Sequence, residues 1–335
     1  MKIHITTIYN LPGAGGIAQQ KTAKIAKQMG FGEIAHSYYN ADIDSDSELE
    51  RRINGILTPV CDGDIVILQT PSCNSFRYDF KFVEMLKLRQ NIKLVMLIHD
   101  VLPLMYNWSE ASIRKVVEFY NLADVLIAPT KKMLDTLKMY GLNVKKQMVQ
   151  EMWDYPVEFA SDKPQFYKRI FFTGGPYRFP FLGKWTMQTQ LFLYTNDRFS
   201  AENLNIVLRG YQKENRLLAD LSEGGYGLVW SSTETNEYYN LIQPYKIPTY
   251  LAAGIPIIIQ KGLALEETIL KNRLGFVVES LEEADAIVQS TTEAEYIEMI
   301  NRISEFNYLI KSGWFTRKIL TDAIMLLLND NYKLQ

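Results

Sequence analysis

The stretch Gln243-Pro-Tyr-Lys-Ile-Pro-Thr-Tyr-Leu-Ala-Ala-Gly-Ile-Pro-Ile-Ile-Ile-Gln260 decides the fold. Its first half reads as a short helix, closed by Gly254 and followed by a turn through Pro256. A glycine just past a helix end takes the left-handed conformation without steric cost, and a proline two residues on bars continuation. The apolar run after the proline predicts a strand buried on both faces, as in parallel sheets. Lys246 stands near the start of the helix, so its ammonium and the positive end of the helix dipole can face one anion. A diphosphate leaving group can be held in that way without a metal ion.

Outward from this stretch, short apolar runs alternate with helical periodicity along the chain. In the first half the strands are expected at 3–8, 34–38, 64–69, 93–98, 124–128 and 146–150. In the second they are expected at 169–173, 191–194, 205–208, 227–230, 256–259 and 275–279. Helical alternation marks 19–29, 80–89, 112–121 and 131–140. Two such series in succession are better accommodated as two doubly wound α/β domains than as one very wide sheet. Turn formers in Asp154-Tyr-Pro-Val and Ser161-Asp-Lys-Pro place the junction there. The expected division is 1–157, 158–312 and a last segment, 313–335, that returns to the first domain. A helix is read over 293–306, a break from Asn307 to Gly313, and a final apolar helix over 316–328 that begins on a capping residue.

The chain has 335 residues, 47% of them hydrophobic and 22% charged, the balance of a globular protein. A formal net charge of −2 gives no electrostatic case for nucleic acid. The opening run is too short and too alternating for a signal peptide, and no apolar stretch reaches a membrane span. Cys61 and Cys73 have neither a disulfide framework nor metal-ligand spacing, so a cytoplasmic chain with reduced thiols is expected.

Ligands of open parallel sheets bind beyond the carboxyl ends of the strands, which directs attention to four loops. Tyr9-Asn-Leu-Pro-Gly-Ala-Gly-Gly16 is glycine-rich enough for a backbone to approach a phosphate or sugar, yet it matches neither the dinucleotide fingerprint nor a P-loop. A flexible turn explains it equally well. His99 and Asp100 end a strand, where they either bind a hydroxyl or take its proton, or only cap the loop. In Thr173-Gly-Gly-Pro-Tyr-Arg178 the guanidinium fork suits phosphate oxygens, and this reading is preferred over a surface arginine. The fourth region carries Tyr211, able to stack on a base, and Ser231 with Ser232, able to reach a ribose or phosphate. Residues 234–239 read as a solvated loop that shapes the acceptor side. No divalent metal is expected, no nucleophile elbow is present, and three histidines give no triad or zinc site.

These residues resemble a known family. The helix from Lys246 through Gly254 to Pro256 is similar to the nucleotide-binding helix of GT-B glycosyltransferases. His4-Ile-Thr, Ile98-His-Asp-Val, Met152-Trp-Asp, Arg178-Phe-Pro-Phe, Gly227-Leu-Val-Trp-Ser-Ser, Gln243-Pro-Tyr-Lys and Gly313-Trp-Phe-Thr look like the Gtf3/GtfC-type bacterial glucosyltransferases of the accessory Sec system, across nearly the whole chain. The resemblance implies a GT-B fold of two Rossmann-like domains facing a central cleft. It also implies a cytoplasmic, retaining, metal-independent enzyme and a homotetramer. Such an enzyme adds a hexose, typically glucose from UDP-glucose, to GlcNAc already O-linked to Ser or Thr of a serine-rich repeat adhesin.

Carried over by position, Arg178 and Lys246 would hold the diphosphate and act in catalysis. Tyr211 would lie beside uracil, and Gly15 and Gly16 would approach the donor from the first domain. Pro244, Tyr245 and Thr249 would line the donor pocket, with Ser231 beside them. His99 and Asp100 are the acceptor-side candidates, and no metal is expected. Many GT-B helices carry Glu where this chain has Thr249, so ribose recognition comes partly from elsewhere. UDP-GlcNAc or UDP-galactose as donor, and a non-catalytic subunit that recognises the glycan, stay open as alternatives.

Overall fold

The computed structural model describes residues 1–158, 163–231, 236–329 and 332. The chain divides into two compact units, Met1–Trp153 with Gly313–Gln335, and Asp154–Ser312. The dividing line falls at Trp153, earlier than the 157/158 junction expected from turn formers. Asp154 and Tyr155 are already tied into the second unit, because the Tyr155 amide donates to the Ile310 carbonyl at 3.1 Å and the Tyr245 hydroxyl to the Asp154 carbonyl at 2.9 Å.

In the first unit, β1 (Ile3–Tyr9), β2 (Gly32–Ser37), β3 (Ile65–Thr70), β4 (Lys93–Ile98), β5 (Val125–Ala128) and β6 (Lys146–Val149) form one parallel sheet. Its order is β2-β1-β3-β4-β5-β6. The intervening helices are α1 (Gly13–Gln28), α2 (Asp46–Ile56), α3 (Phe76–Leu86), α4 (Leu102–Met105), α5 (Glu110–Tyr120) and α6 (Lys131–Met139). Every residue of β3 is buried, which is why it reads as Ile-Val-Ile-Leu rather than as an alternating strand. Helix α1 starts well before the expected residue 19, so the glycines thought to form a loop make its first turn. Gly-Ala-Gly-Gly has no apolar period to betray a helix.

The second unit holds β7 (Arg169–Thr173), β8 (Gln190–Tyr194), β9 (Ile206–Leu208), β10 (Tyr226–Val229), β11 (Ile257–Gln260) and β12 (Gly275–Val278). They too pair in parallel, in the order β12-β11-β10-β7-β8-β9. Its helices are α7 (Glu214–Ser222), α8 (Asn236–Tyr239), α9 (Lys246–Ala253), α10 (Glu266–Lys271), α11 (Leu281–Ser290) and α12 (Glu293–Ser312). The break expected from Asn307 does not occur. Asn307 is buried and donates to the Ala252 carbonyl at 3.4 Å, and the buried face of α12 runs on to Ile310.

The last helix, α13 (Trp314–Leu328), packs on α1 in the first unit, as expected for the returning segment. It starts at Gly313 with φ of 76° and no side-chain cap, and Thr316, expected to cap it, is buried inside it. A Cβ on Gly313 would lie 2.7 Å from the Ile25 side chain, so the approach of α13 to α1 needs glycine there. Among the described residues, no helix is long and apolar enough to cross a membrane.

Candidate functional site

Strand order fixes where each unit can bind a ligand. In the second unit the chain runs outward from β7 through β8 and β9, then returns to the other side of β7 with β10. Beyond the carboxyl ends of β7 and β10 the two connections diverge and leave a crevice. Arg178 comes from the connection after β7, and Lys246 opens a helix that follows β10.

Each cation is placed by local packing. After β7 the chain turns back on itself, with the Arg178 and Phe179 amides both donating to the Gly175 carbonyl at 3.1 Å. Phe179 is buried edge-on against Phe172 at 4.9 Å, which anchors the turn. Helix α9 is seated by Tyr250, whose hydroxyl donates to the Phe171 carbonyl at 3.3 Å. That ring lies where residue 227 has no side chain, because a Cβ on Gly227 would come within 2.3 Å of it. Lys246 is four residues before Tyr250 and so shares its helix face.

The two cations converge on the same pair of rings. The Lys246 ammonium stands 4.6 Å from the centroid of Phe179, 5.2 Å from Phe172 and 5.9 Å from Tyr239, and donates to the Tyr239 hydroxyl at 3.3 Å. The Arg178 guanidinium lies 5.6 Å from Tyr239 and 5.9 Å from Phe179. Among the described residues neither cation has a carboxylate partner. Ring faces attract a cation by roughly 0.5–1 kcal/mol at exposed sites, enough to orient it without neutralising it. An anion entering the crevice would therefore meet two uncompensated positive charges.

The helix itself contributes less than its sequence promised. The Ile247 amide already donates to the Pro244 carbonyl at 3.0 Å, and Pro248 has no N–H, so α9 offers few free donors in its first turn. Thr249 turns its hydroxyl back to the Tyr245 carbonyl at 2.7 Å, and Tyr245 packs on Tyr155 with ring centroids 5.5 Å apart. Burial raises the Tyr245 hydroxyl well above its ordinary range. Pro244 is buried beside these residues. Ser231 directs its hydroxyl to Gln260 Oε1 at 2.6 Å, Ser232 lies outside the described residues, and Tyr211 is exposed on the connection after β9. Residues 234–239 depart from the solvated loop expected there: 234 and 235 lie outside the described residues, and the Tyr238 and Tyr239 rings are buried. Tyr239, like Phe179, is an aromatic contact of both cations, a role its sequence position did not signal.

In the first unit, Gly15 and Gly16 lie in the opening turn of α1. A Cβ on Gly16 would meet the Leu11 carbonyl oxygen at 2.2 Å, whereas Gly15 faces open space. His99 and Asp100 part company. His99 is buried, stacked on Trp153 at 4.6 Å, with Nε2 2.8 Å from Gln69 Oε1. The Gln69 amide nitrogen donates to the carbonyls of Thr6 and Gln19, so its oxygen faces the imidazole and Nε2 carries the proton. Burial lowers the His99 pKa to about 3, and the ring stays neutral. Asp100 instead lines a cavity beside Phe76, Asp79 and Trp108. The polar network of Gln19, Gln69 and His99 was not foreseen; a glutamine closing an all-apolar strand was its one signal.

Two doubly wound units, the second presenting paired cations at its switch point, define a glycosyltransferase of the GT-B fold. HepE from Anabaena, solved in complex with UDP-glucose, superposes with a TM-score of 0.66 at 13% identity, covering 98% of this chain and 100% of that one. The chain belongs to the glucosyltransferase 3-like family, whose N-terminal domain matches residues 2–152 and whose C-terminal domain matches 170–323. Glucosyltransferase 3 of Streptococcus gordonii is 40% identical over 97% of this chain and 99% of its own length. Glucosyltransferase 3 of Streptococcus parasanguinis is 37% identical over 97% and 98%. The family read from the dispersed motifs is the one found.

Proposed function

We propose that this glycosyltransferase moves glucose from UDP-glucose onto GlcNAc already O-linked to Ser or Thr of a serine-rich repeat adhesin. Transfer retains the anomeric configuration, needs no metal, and is carried out by a cytoplasmic homotetramer. The observation that carries the reading is the pair Arg178 and Lys246, both oriented by Phe179 and Tyr239 and neither, among the described residues, neutralised by a carboxylate. The names of the streptococcal relatives support glucose, and the UDP-glucose in HepE supports the nucleotide.

In the transfer, the bond from the anomeric carbon to the diphosphate oxygen breaks as a bond to the acceptor oxygen forms. Negative charge grows on the diphosphate, and the two preorganised cations stabilise it as it develops. The acceptor hydroxyl loses its proton, and the departing phosphate oxygen is a base able to take it. No protein nucleophile is invoked, and neutral His99 serves the first unit's polar network.

The test is a donor screen with a GlcNAc-bearing peptide in the presence of EDTA, read by mass. UDP-glucose should add one hexose. Transfer from UDP-GlcNAc or UDP-galactose in its place would reassign the donor, and transfer that stops on chelation would end the metal-free reading.

A further inference from the structure

We propose that a cavity between α3 and α5 of the first unit is the seat of the acceptor sugar. The proposal rests on the reading of the chain as a transferase with a sugar-bearing acceptor. It adds the place and the residues that hold that sugar.

The cavity opens beside the connections that follow β3 and β4, the carboxyl ends at which parallel sheets bind ligands. Its volume is about 280 Å³, just below the roughly 300–1,000 Å³ usual for ligand pockets, which suits one ring rather than a nucleotide. The walls are aromatic. Phe76, Trp108, Phe119 and Tyr120 line it, with Phe76 set edge-on to Trp108 at 6.2 Å. Trp108 is 44% exposed and Tyr106 stacks on it at 6.2 Å, so a broad ring surface is held ready at the mouth.

The charged groups are acidic, beside neutral polar Thr70, Cys73, Asn74 and Ser75. Asp42, Asp79 and Asp100 line the cavity and, among the described residues, no lysine, arginine or histidine does; Lys115 lies 5.5 Å from the Phe76 ring but outside the lining. A phosphate or nucleotide would be repelled there. A neutral polyol is accommodated, since pyranose C–H faces lie on aromatic rings while hydroxyls bond to carboxyl oxygens. Asp79 is fixed by the Ser72 hydroxyl, which donates to its Oδ1 at 2.5 Å. Its carboxyl keeps a window onto the cavity, yet the protein packed around it pushes its pKa up to about 7. Near neutrality it can thus donate as well as accept, which suits a hydroxyl better than a cation.

The experiment uses the full chain and the variants Trp108→Ala and Asp79→Asn. With saturating UDP-glucose, KM for a GlcNAc-bearing peptide should rise about five- to tenfold in Trp108→Ala, the size of one lost aromatic contact. Asp79→Asn should raise it in the same direction, and Kd for UDP should not change in either. Free GlcNAc titrated into the unsubstituted chain should shift tryptophan fluorescence, and the shift should vanish in Trp108→Ala. Unchanged acceptor KM in both variants, or a GlcNAc response that survives loss of Trp108, would overturn the proposal. If UDP-glucose is not turned over while the GlcNAc response holds, the proposed donor fails and the pocket stands.

Discussion

The two units share a six-stranded parallel sheet but differ in where the chain reverses and in the charge it presents there. In the first unit the third strand already crosses to the other side of β1. In the second, three strands run outward before β10 returns beside β7. Beyond the second sheet, Arg178 and Lys246 share the Phe179 and Tyr239 rings with no carboxylate partner among the described residues. At the ligand end of the first, rings of the same kind line a cavity with Asp42, Asp79 and Asp100, and among the described residues no basic side chain is in that lining. Aromatic surface is therefore common to both, and charge sets them apart. One surface suits an anion that carries its own leaving group; the other suits a neutral sugar.

The largest expected effect comes from removing the positive side of this contrast. Arg178→Ala and Lys246→Ala should each lower kcat/KM by about 10²–10³-fold, the usual loss for one preorganised charge-stabilising group. Their thermal midpoints should stay near that of the unsubstituted chain, because both cations are only half-buried and, among the described residues, neither is in an ion pair. Near-normal turnover in either variant would break the contrast.

A smaller effect is expected from unseating Lys246 while leaving it in the sequence. Gly227→Ala places a Cβ 2.3 Å from the Tyr250 ring and should cost about 1–3 kcal/mol by overpacking, with weaker UDP binding as α9 shifts. If melting and UDP affinity are both unchanged, Gly227 is not what seats the helix.

The smallest effect is a pH dependence on the acidic side. Asp79 has a folded pKa raised from 3.8 to about 7, so between these values the folded chain keeps a proton that the unfolded chain has released. Its contribution is full below about pH 4 and is lost as pH rises to about 7. Buried His36 and His99, lowered from 6.5 to about 4 and about 3, act in the opposite sense over part of that window. They remain in Asp79→Asn, so the stability of the unsubstituted chain minus that of the variant isolates the carboxyl. That difference should fall from pH 4 to 7 and then level off. A flat difference would show that Asp79 titrates normally.

Much of the architecture was legible because buried parallel strands announce themselves. The runs read at Lys93–Ile98 and Arg169–Thr173 coincide with β4 and β7, and Gly254 closes α9 with φ of 86°. Strand order was not legible, since periodicity says nothing about which side of β7 receives β10. Helix starts hidden in glycine, as at Gly13, were missed for want of an apolar period.

At the site, Arg178 and Lys246 were chosen for their chemistry and their place after strands. Their shared contact with Tyr239 joins residues far apart in sequence and could not be read. Asp79 looks like any solvent-facing helical acid in Phe-Arg-Tyr-Asp-Phe; only the fold turns it toward a cavity.

The most direct test of the central claim is calorimetry of UDP and of uridine, in EDTA, with the unsubstituted chain, Arg178→Ala and Lys246→Ala. UDP should bind the unsubstituted chain and lose about tenfold or more in affinity in each variant, as expected for a charge-assisted contact. Uridine, lacking phosphates, should bind all three alike. UDP affinity that is unchanged in both variants, or that falls in parallel with uridine, would contradict the assignment of these two cations to the diphosphate.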